Sequence, residues 1–271
     1  MISRTATALL FAFAAAAYGQ QDFSKVEIKV TPVAGAVYML EGAGGNIGVS
    51  VGADGIVIID DQFAPLAPKI KAALASISKD PVRFVVNTHY HGDHTGGNEA
   101  FGESAPIVAH ENVRKRLAAG TPEADQPPAP AGALPVLTFN DRVTIHLNGE
   151  DIRALHVPHA HTDGDAVIFF SKSNVVHMGD LFFNGRFPFV DIDSGGSVSG
   201  LIDGVESVLP KIPADAKVIA GHGPIGTVAD LKAYADGLRG MRSAVEAGLA
   251  AGKTPAQLKE EKVLERWSSW S

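Results

Sequence analysis

Residues 88–97 read Thr88-His89-Tyr90-His91-Gly92-Asp93-His94-Thr95-Gly96-Gly97, so three of the chain's ten histidines and one aspartate fall within six consecutive positions. An H-x-H-x-D-H pattern arises by accident in about one chain in a thousand of this length and composition, so it asks for a chemical reason. In an extended segment, residues two apart point the same way, and His89 and His91 can offer their imidazoles to one point. Gly92 then permits a sharp turn that swings Asp93 and His94 toward a second point nearby. Four donors at this spacing suit two neighbouring metal ions; a solvated polar loop is the competing reading.

Working outward, the apolar run Val82–Asn87 predicts a strand that delivers the chain to this motif. Before it, Leu66, Ile70, Leu74 and Ile77 recur at three- and four-residue steps, which predicts an amphipathic helix over 65–78. Val26–Val30, Ala36–Glu41, Asn46–Val51 and Gly55–Asp60 are short β-rich runs between glycine-rich breaks and predict a meander of strands. The second half repeats the style. Strands are expected at Val143–Leu147, Ile152–Val157, Ala166–Phe170, Val175–Met178 and Val218–Ala220, with helices at Val198–Leu209 and Val228–Ala250. Two strand-rich halves, each followed by helices, suit an α/β architecture in which helices pack outside stacked sheets. Gly120–Pro135 holds five prolines and reads as an exposed loop, either a plain connection or a substrate rim.

Three further polar residues stand where apolar strands end: His161 in VPHAHTDGDAVIFF, Asp180 in VVHMGDLFF and His222 in VIAGHGP. A side chain at a strand end beside glycine or threonine sits where functional loops are built, whereas one in mid-strand is more often a satisfied core group. His110, His146, His156 and His177 lie in or beside apolar runs and are expected to be mostly structural. His159, two residues before His161, competes with it for a ligand role.

Arg4, the apolar run Thr5–Ala17 and Ala17-Tyr18-Gly19 together read as a secretory signal over residues 1–19, with one mature domain over 20–271 and export to the periplasm or beyond. The apolar run is shorter than the roughly 20 residues a spanning helix needs, so no stable membrane insertion is expected. The chain has no cysteine, so any metal site must use histidine and carboxylate. The formal charge of −7 becomes −8 without Arg4, and no Lys/Arg cluster remains to track a phosphate backbone. A small-molecule substrate is expected and a nucleic acid is not. Oligomeric state is left open.

The order H-x-H-x-D-H, His-Thr, Gly-Asp, Gly-His-Gly resembles that of the metallo-β-lactamase-fold hydrolase superfamily over nearly all of the proposed mature chain. The opening GGNIGVSVGADGIVIIDDQF is similar to that family's first hairpin, whose aspartate, Asp60 here, supports the metal loop. The resemblance implies an αββα sandwich of two mixed β-sheets flanked by helices, with metals at one edge between the sheets. It implies His89, His91 and His161 on one ion, Asp93, His94 and His222 on a second, and Asp180 bridging both. The implied cofactor is two zinc ions, with iron or manganese able to use the same ligands. This ligand set is most similar to that of the glyoxalase II type. It departs from the cysteine-bearing β-lactamases, which place cysteine at Asp180 and a carboxylate-binding lysine at Phe183; Arg186 offers a cation nearby. The residues after His222 are too few for the helical glutathione-binding domain of glyoxalase II.

The implied activity is hydrolysis of an ester, lactone, thioester or amide, a β-lactam included, by water whose pKa a metal lowers from 15.7 to about 7, with Asp93 orienting it. An iron-dependent sulfur dioxygenase of the same fold is the alternative, and a non-catalytic metal or ligand carrier is a third reading. Substrate choice is expected in Phe63 to Pro65, the 120–135 loop and the aromatic run Phe182–Phe189, which could instead pack against the Val198–Leu209 helix.

Overall fold

A computed structural model describes residues 22–120 and 127–270; the proposed signal over 1–19 lies outside them, as do residues 121–126 of the proline-rich stretch. Seven strands form the first sheet in chain order: β1 (Lys29–Ala34), β2 (Val37–Glu41), β3 (Ile47–Gly52), β4 (Gly55–Ile59), β5 (Val82–Val86), β6 (Ile107–His110) and β7 (Leu137–Phe139). Pairing is antiparallel from β1 to β4 and parallel from β4 to β7. The second sheet holds β8 (Arg142–Leu147), β9 (Glu150–Val157), β10 (Asp165–Phe170), β11 (Val175–His177), β12 (Lys217–Ile219) and β13 (Gly226–Thr227), in the order β13-β12-β11-β10-β9-β8. It too is mixed, with β11 and β12 parallel and its other pairs antiparallel.

Helices cover the outer faces. α1 (Ala67–Ile77), α2 (Gly92–Thr95), α3 (Asn98–Gly102) and α4 (Glu111–Ala119) belong to the first half, and α5 (Val198–Val208), α6 (Val228–Ala250) and α7 (Pro255–Glu260) to the second. Three apolar layers follow from this arrangement. Ile70 and Leu74 of α1 join Ile56, Ile58 and Val85 on the outer face of the first sheet. Val57, Ile59 and Val86 meet Ile152, Ala154 and Ile168 between the sheets. Leu201 and Val205 of α5 and Leu231 and Leu238 of α6 cover Val167, Val176 and Val218 on the second sheet. Burying both faces of each sheet accounts for the nearly continuous apolar runs of β4, β5 and β10. The architecture is the αββα sandwich of two mixed sheets that the motif order implied. Among the described residues no helix is long and apolar enough to cross a membrane.

The first strand is displaced from its expected place. Instead of Val26–Val30, β1 runs from Lys29 through Pro32, with an irregularity in register between Pro32 and Ala34. As the edge strand, β1 tolerates a proline there. Strands β6, β7 and β13 and helices α2, α3, α4 and α7 were not anticipated from sequence, α2 standing where only a turn at Gly92 was expected. β6 has four residues and β7 three, too few to show a period. Of the proline-rich stretch, Ala131–Ala133 forms one 3-10 turn.

Candidate metal centre

The parallel strand β5 and the strands β11 and β12 point their C-terminal ends at one edge of the sandwich. The chain leaves β5 at Val86, passes through residues 87–91 without regular structure and turns into α2 at Gly92. That turn separates His89 and His91 from Asp93 and His94. His161 lies just before β10, Asp180 in a 3-10 turn after β11, and His222 after β12. The structure brings all seven together. His89, His91, His161 and Asp180 form one group and Asp93, His94 and His222 a second, with the potential ligand atoms of each within 4.8 Å of one another. Asp180 stands between the groups: its Oδ2 is 3.5 Å from His161 Nε2 and 3.4 Å from His222 Nε2, and its Oδ1 is 3.1 Å from His94 Nε2.

Partners behind the rings decide which nitrogen of each faces inward. Thr88 Oγ1 gives its hydrogen to Asp60 Oδ2 at 2.7 Å, so His89 Nδ1–H must donate to Thr88 Oγ1 at 3.0 Å. His94 Nδ1–H donates to Asp60 Oδ2 at 2.7 Å, and His161 Nδ1–H to the Phe189 carbonyl at 2.9 Å. These three rings therefore turn Nε2 to the centre, bare in His89 and His161. His91 is reversed: its Nε2–H donates to Asp191 Oδ2 at 2.8 Å and Nδ1 faces inward, 3.1 Å from His89 Nε2 and 2.9 Å from His161 Nε2.

Lone pairs facing lone pairs at such distances repel unless a cation lies among them. The carboxylates tell the same story, since buried Asp180 Oδ1 has no hydrogen-bond partner. Burial pushes His89 well below the ordinary imidazole value and His161 down to about 4, so both are neutral, as metal ligands must be. Burial would also lower His94, yet Asp180, Asp93 and Asp60 hold it well above that value, and Asp180 and Asp93 likewise overcome burial to raise His222 to about 9. The carboxylates thus call for positive charge. A nitrogen-rich, cysteine-free donor set with this unmet demand fits divalent metal.

Close approach is built into the backbone at two glycines. A Cβ at Gly45 would come 2.1 Å from the His94 ring, and one at Gly221 would come 2.1 Å from Asp180 Oδ1. Asp60, which accepts hydrogen bonds from Thr88 N, Thr88 Oγ1 and His94, holds a left-handed φ of 65°. Such strain is sustained where surrounding bonds fix the residue.

The remaining histidines stay outside both groups. His159 is exposed and donates from Nδ1 to the Gly195 carbonyl at 3.1 Å. His110 and His156 stack on each other, and His146 pairs with Asp151 at the surface. His177 Nε2–H donates to the Asn46 carbonyl while its Nδ1 accepts from Gly179 N–H, bracing the turn that carries Asp180.

The reasoning from sequence missed Asp191. Its carboxylate also accepts from Tyr90 O–H at 2.6 Å and Ser194 N–H at 3.0 Å. No periodicity marks it, although the acidic, glycine-bearing stretch DIDSGG signals a turn. The aromatic run divides: Phe182 and Phe183 are buried in the layer beneath α5, whereas Phe187 and Phe189 are exposed.

The sequence model described as the metallo-beta-lactamase superfamily matches residues 31–239. The chain is 25% identical over 158 residues to the 2,4-dinitroanisole O-demethylase subunit alpha of Nocardioides sp. strain JS1661, covering 57% of this chain and 46% of that protein. It is 28% identical over 141 residues to the hydroxyacylglutathione hydrolase of Nitrosococcus oceani, covering 51% of this chain and 47% of that one. It thus spans about half the length of these two curated relatives. The solved metallo-beta-lactamase from Pontibacter korlensis superposes with a TM-score of 0.66 at 20% identity, covering 79% of this chain and 99% of that one, a likeness of fold.

Proposed function

The chain belongs to the metallo-β-lactamase superfamily, and from that premise we propose that it is a dinuclear metal-dependent hydrolase of a small carbonyl compound. The observation that carries this reading is Asp180, buried within 3.9 Å of imidazole nitrogens from both groups and with one oxygen free of hydrogen bonds. His89, His91 and His161 would hold one ion, Asp93, His94 and His222 the other, and Asp180 both, with zinc the ion best matched to so many imidazoles. Bound there, the ions supply Lewis acidity, bringing the pKa of water from 15.7 toward about 7 and polarising a carbonyl.

The residues of the chain do the remaining work. Asp93 is partly open to solvent, and neighbouring His94 and His222 outweigh its burial to hold its carboxyl below the usual range. It is therefore ionised at neutral pH and would accept a hydrogen bond from the attacking water and orient it. Water oxygen bonds to the carbonyl carbon as the water gives up a proton, the bond to the departing oxygen, sulfur or nitrogen breaks, and the leaving group takes up a proton in its place. Thr88, Asp60, Phe189 and Asp191 keep the four rings aimed, so little reorganisation is needed during reaction. Residues 1–19 are proposed to direct export of this enzyme.

Elemental analysis with assays on an activated ester, a lactone, a thioester and a β-lactam tests this reading. Two zinc equivalents, hydrolysis abolished by a chelator and its loss in His161→Ala are expected. Less than one metal equivalent, with hydrolysis unchanged in His161→Ala, would sink it. Bound iron and oxygen consumption with a persulfide would move the assignment to an oxidoreductase.

A further inference from the structure

The segment Phe183–Phe189 leaves the centre at His222 and returns to it at His161. Phe183 is buried and lies flat against His222, ring centroids 5.2 Å apart and planes 13° from parallel. Phe189 closes the other side, its ring 5.9 Å from those of both His91 and His161. Its carbonyl accepts from His161 Nδ1–H, and two residues on Asp191 N–H donates to the His161 carbonyl at 2.9 Å. The backbone on either side of Val190 is thus tied to one residue of the centre and cannot withdraw.

Held in place this way, Phe189 is nonetheless 60% exposed, and Ile192 72%. Large apolar side chains fixed in water beside a reaction centre form a surface with something to bind. A second apolar surface lies two residues earlier in the same loop. Phe187 lines an apolar cleft of about 490 Å³ with Val245, Leu258, Val263 and Leu264, a size within the range of small-ligand sites. The cationic members of that lining, Lys259 and Lys262, come from the end of α7 and just beyond it, away from the metal ligands. Arg186 stands exposed at the loop's tip.

We propose that the substrate carries an apolar acyl chain which lies across Phe189 and Ile192 and continues into the Phe187 cleft, so that Phe187 and Phe189 determine specificity. This rests on the carbonyl-hydrolase reading above. A chain in that position buries the exposed rings, whereas a carboxylate laid across Phe189 and Ile192, short of the lysines of the cleft, would lose water to two apolar side chains.

Specificity constants of the zinc-loaded full-length protein for para-nitrophenyl acetate, butyrate and octanoate, and for the anionic monosuccinate ester, test the proposal. The constant should rise about tenfold or more from acetate to octanoate, and the monosuccinate should fall below the butyrate. Phe189→Ala and Phe187→Ser should each lower the octanoate-to-acetate ratio about tenfold, with Phe189→Leu restoring most of it, at zinc contents checked by elemental analysis. A flat profile or a preference for monosuccinate overturns the proposal and leaves the hydrolase reading standing. Saturation-transfer NMR with octanoate gives a second readout without turnover. Transfer to the chain methylenes is expected in the wild type and should be lost in Phe189→Ala; its absence from the wild type overturns the proposal. Octanoate binding without hydrolysis of any ester would instead remove the hydrolase reading alone.

Discussion

His94 gives its Nδ1 proton to Asp60 Oδ2 across 2.7 Å, with both side chains sealed from solvent. The same carboxylate accepts from Thr88 N–H and Thr88 O–H, so Asp60 meets three donors and offers none. An asparagine has one acceptor oxygen and turns an NH₂ toward at least one of those donors. In Asp60→Asn, His94 loses its fixed tautomer, and metal affinity should fall about 10–100-fold. Competition with a chromogenic chelator measures this, and an unchanged affinity would reduce Asp60 to a brace for the loop backbone.

Gly221 offers a purely steric test. A Cβ there would meet Asp180 Oδ1 at 2.1 Å and the Gly179 carbonyl oxygen at 2.6 Å. The backbone has no retreat, since Gly221 N–H donates to Gly179 O at 2.8 Å and Phe182 O at 3.0 Å. Asp180 and the Gly179 backbone beside it must shift. Gly221→Ala is expected to keep a cooperative unfolding transition and lose about a hundredfold in kcat/KM, the scale of an ångström's misplacement in a reacting site. Near-normal turnover would mean that Asp180 does not need its present position.

How much of this was legible in the sequence depends on whether a residue acts through local spacing. His89, His91, Asp93 and His94 could be read together because one strand end and one glycine bring them close, and His161, Asp180 and His222 because each follows an apolar run. Helix α6 runs over Val228–Ala250 as expected from sequence, and a capping box of Thr227 and Asp230 fixes its start. Asp191 could not be found this way. It reaches His91 across 100 residues of sequence, and only the packing of two distant segments creates that contact. The Phe182–Phe189 run was ambiguous for a similar reason: composition says apolar, and burial of Phe183 with exposure of Phe189 is decided by bonds to His161 and His222.

Asp191 itself supports a graded prediction. It fixes His91 Nε2–H at 2.8 Å, and its second partner at that oxygen, Tyr90 O–H, is pushed up to about 12 by burial and the Asp191 contact, so the tyrosine keeps its proton as a donor. Asp191→Ala should lower metal affinity about 10–100-fold, through the group that holds His91. Tyr90→Phe removes one donor to the carboxylate and leaves its bond to His91, so a smaller loss is expected. Isothermal titration with zinc orders the two variants, and a larger loss in Tyr90→Phe would place the critical bond on the tyrosine.

A pH-sensitive contact lies outside both groups of potential ligands. His110 of β6 and His156 of β9 stack with centroids 3.7 Å apart and planes 9° from parallel, joining the two sheets. Burial, then the neighbouring His156, holds His110 down at about 4, and burial lowers His156 as well; Asp163, Glu111 and Asp141 oppose these shifts without reversing them. Hydrogen bonds suit the neutral rings: His110 Nδ1 accepts from Asn112 N–H at 3.2 Å, and His156 Nδ1–H donates to the Asp165 carbonyl at 3.0 Å. In the unfolded chain both imidazoles titrate near 6.5. Between that value and about 4 the unfolded chain takes up protons that the folded chain refuses, so the pair's contribution is intact above about pH 6.5 and is lost as pH falls through this window. The denaturant midpoint of the metal-free protein should therefore fall steadily over this range. His156→Gln removes one titrating ring and relieves the other of its neighbour's charge, so its midpoint should fall less steeply, whatever the substitution costs at neutral pH. Equal slopes in the two proteins would show that the stack does not govern their acid sensitivity.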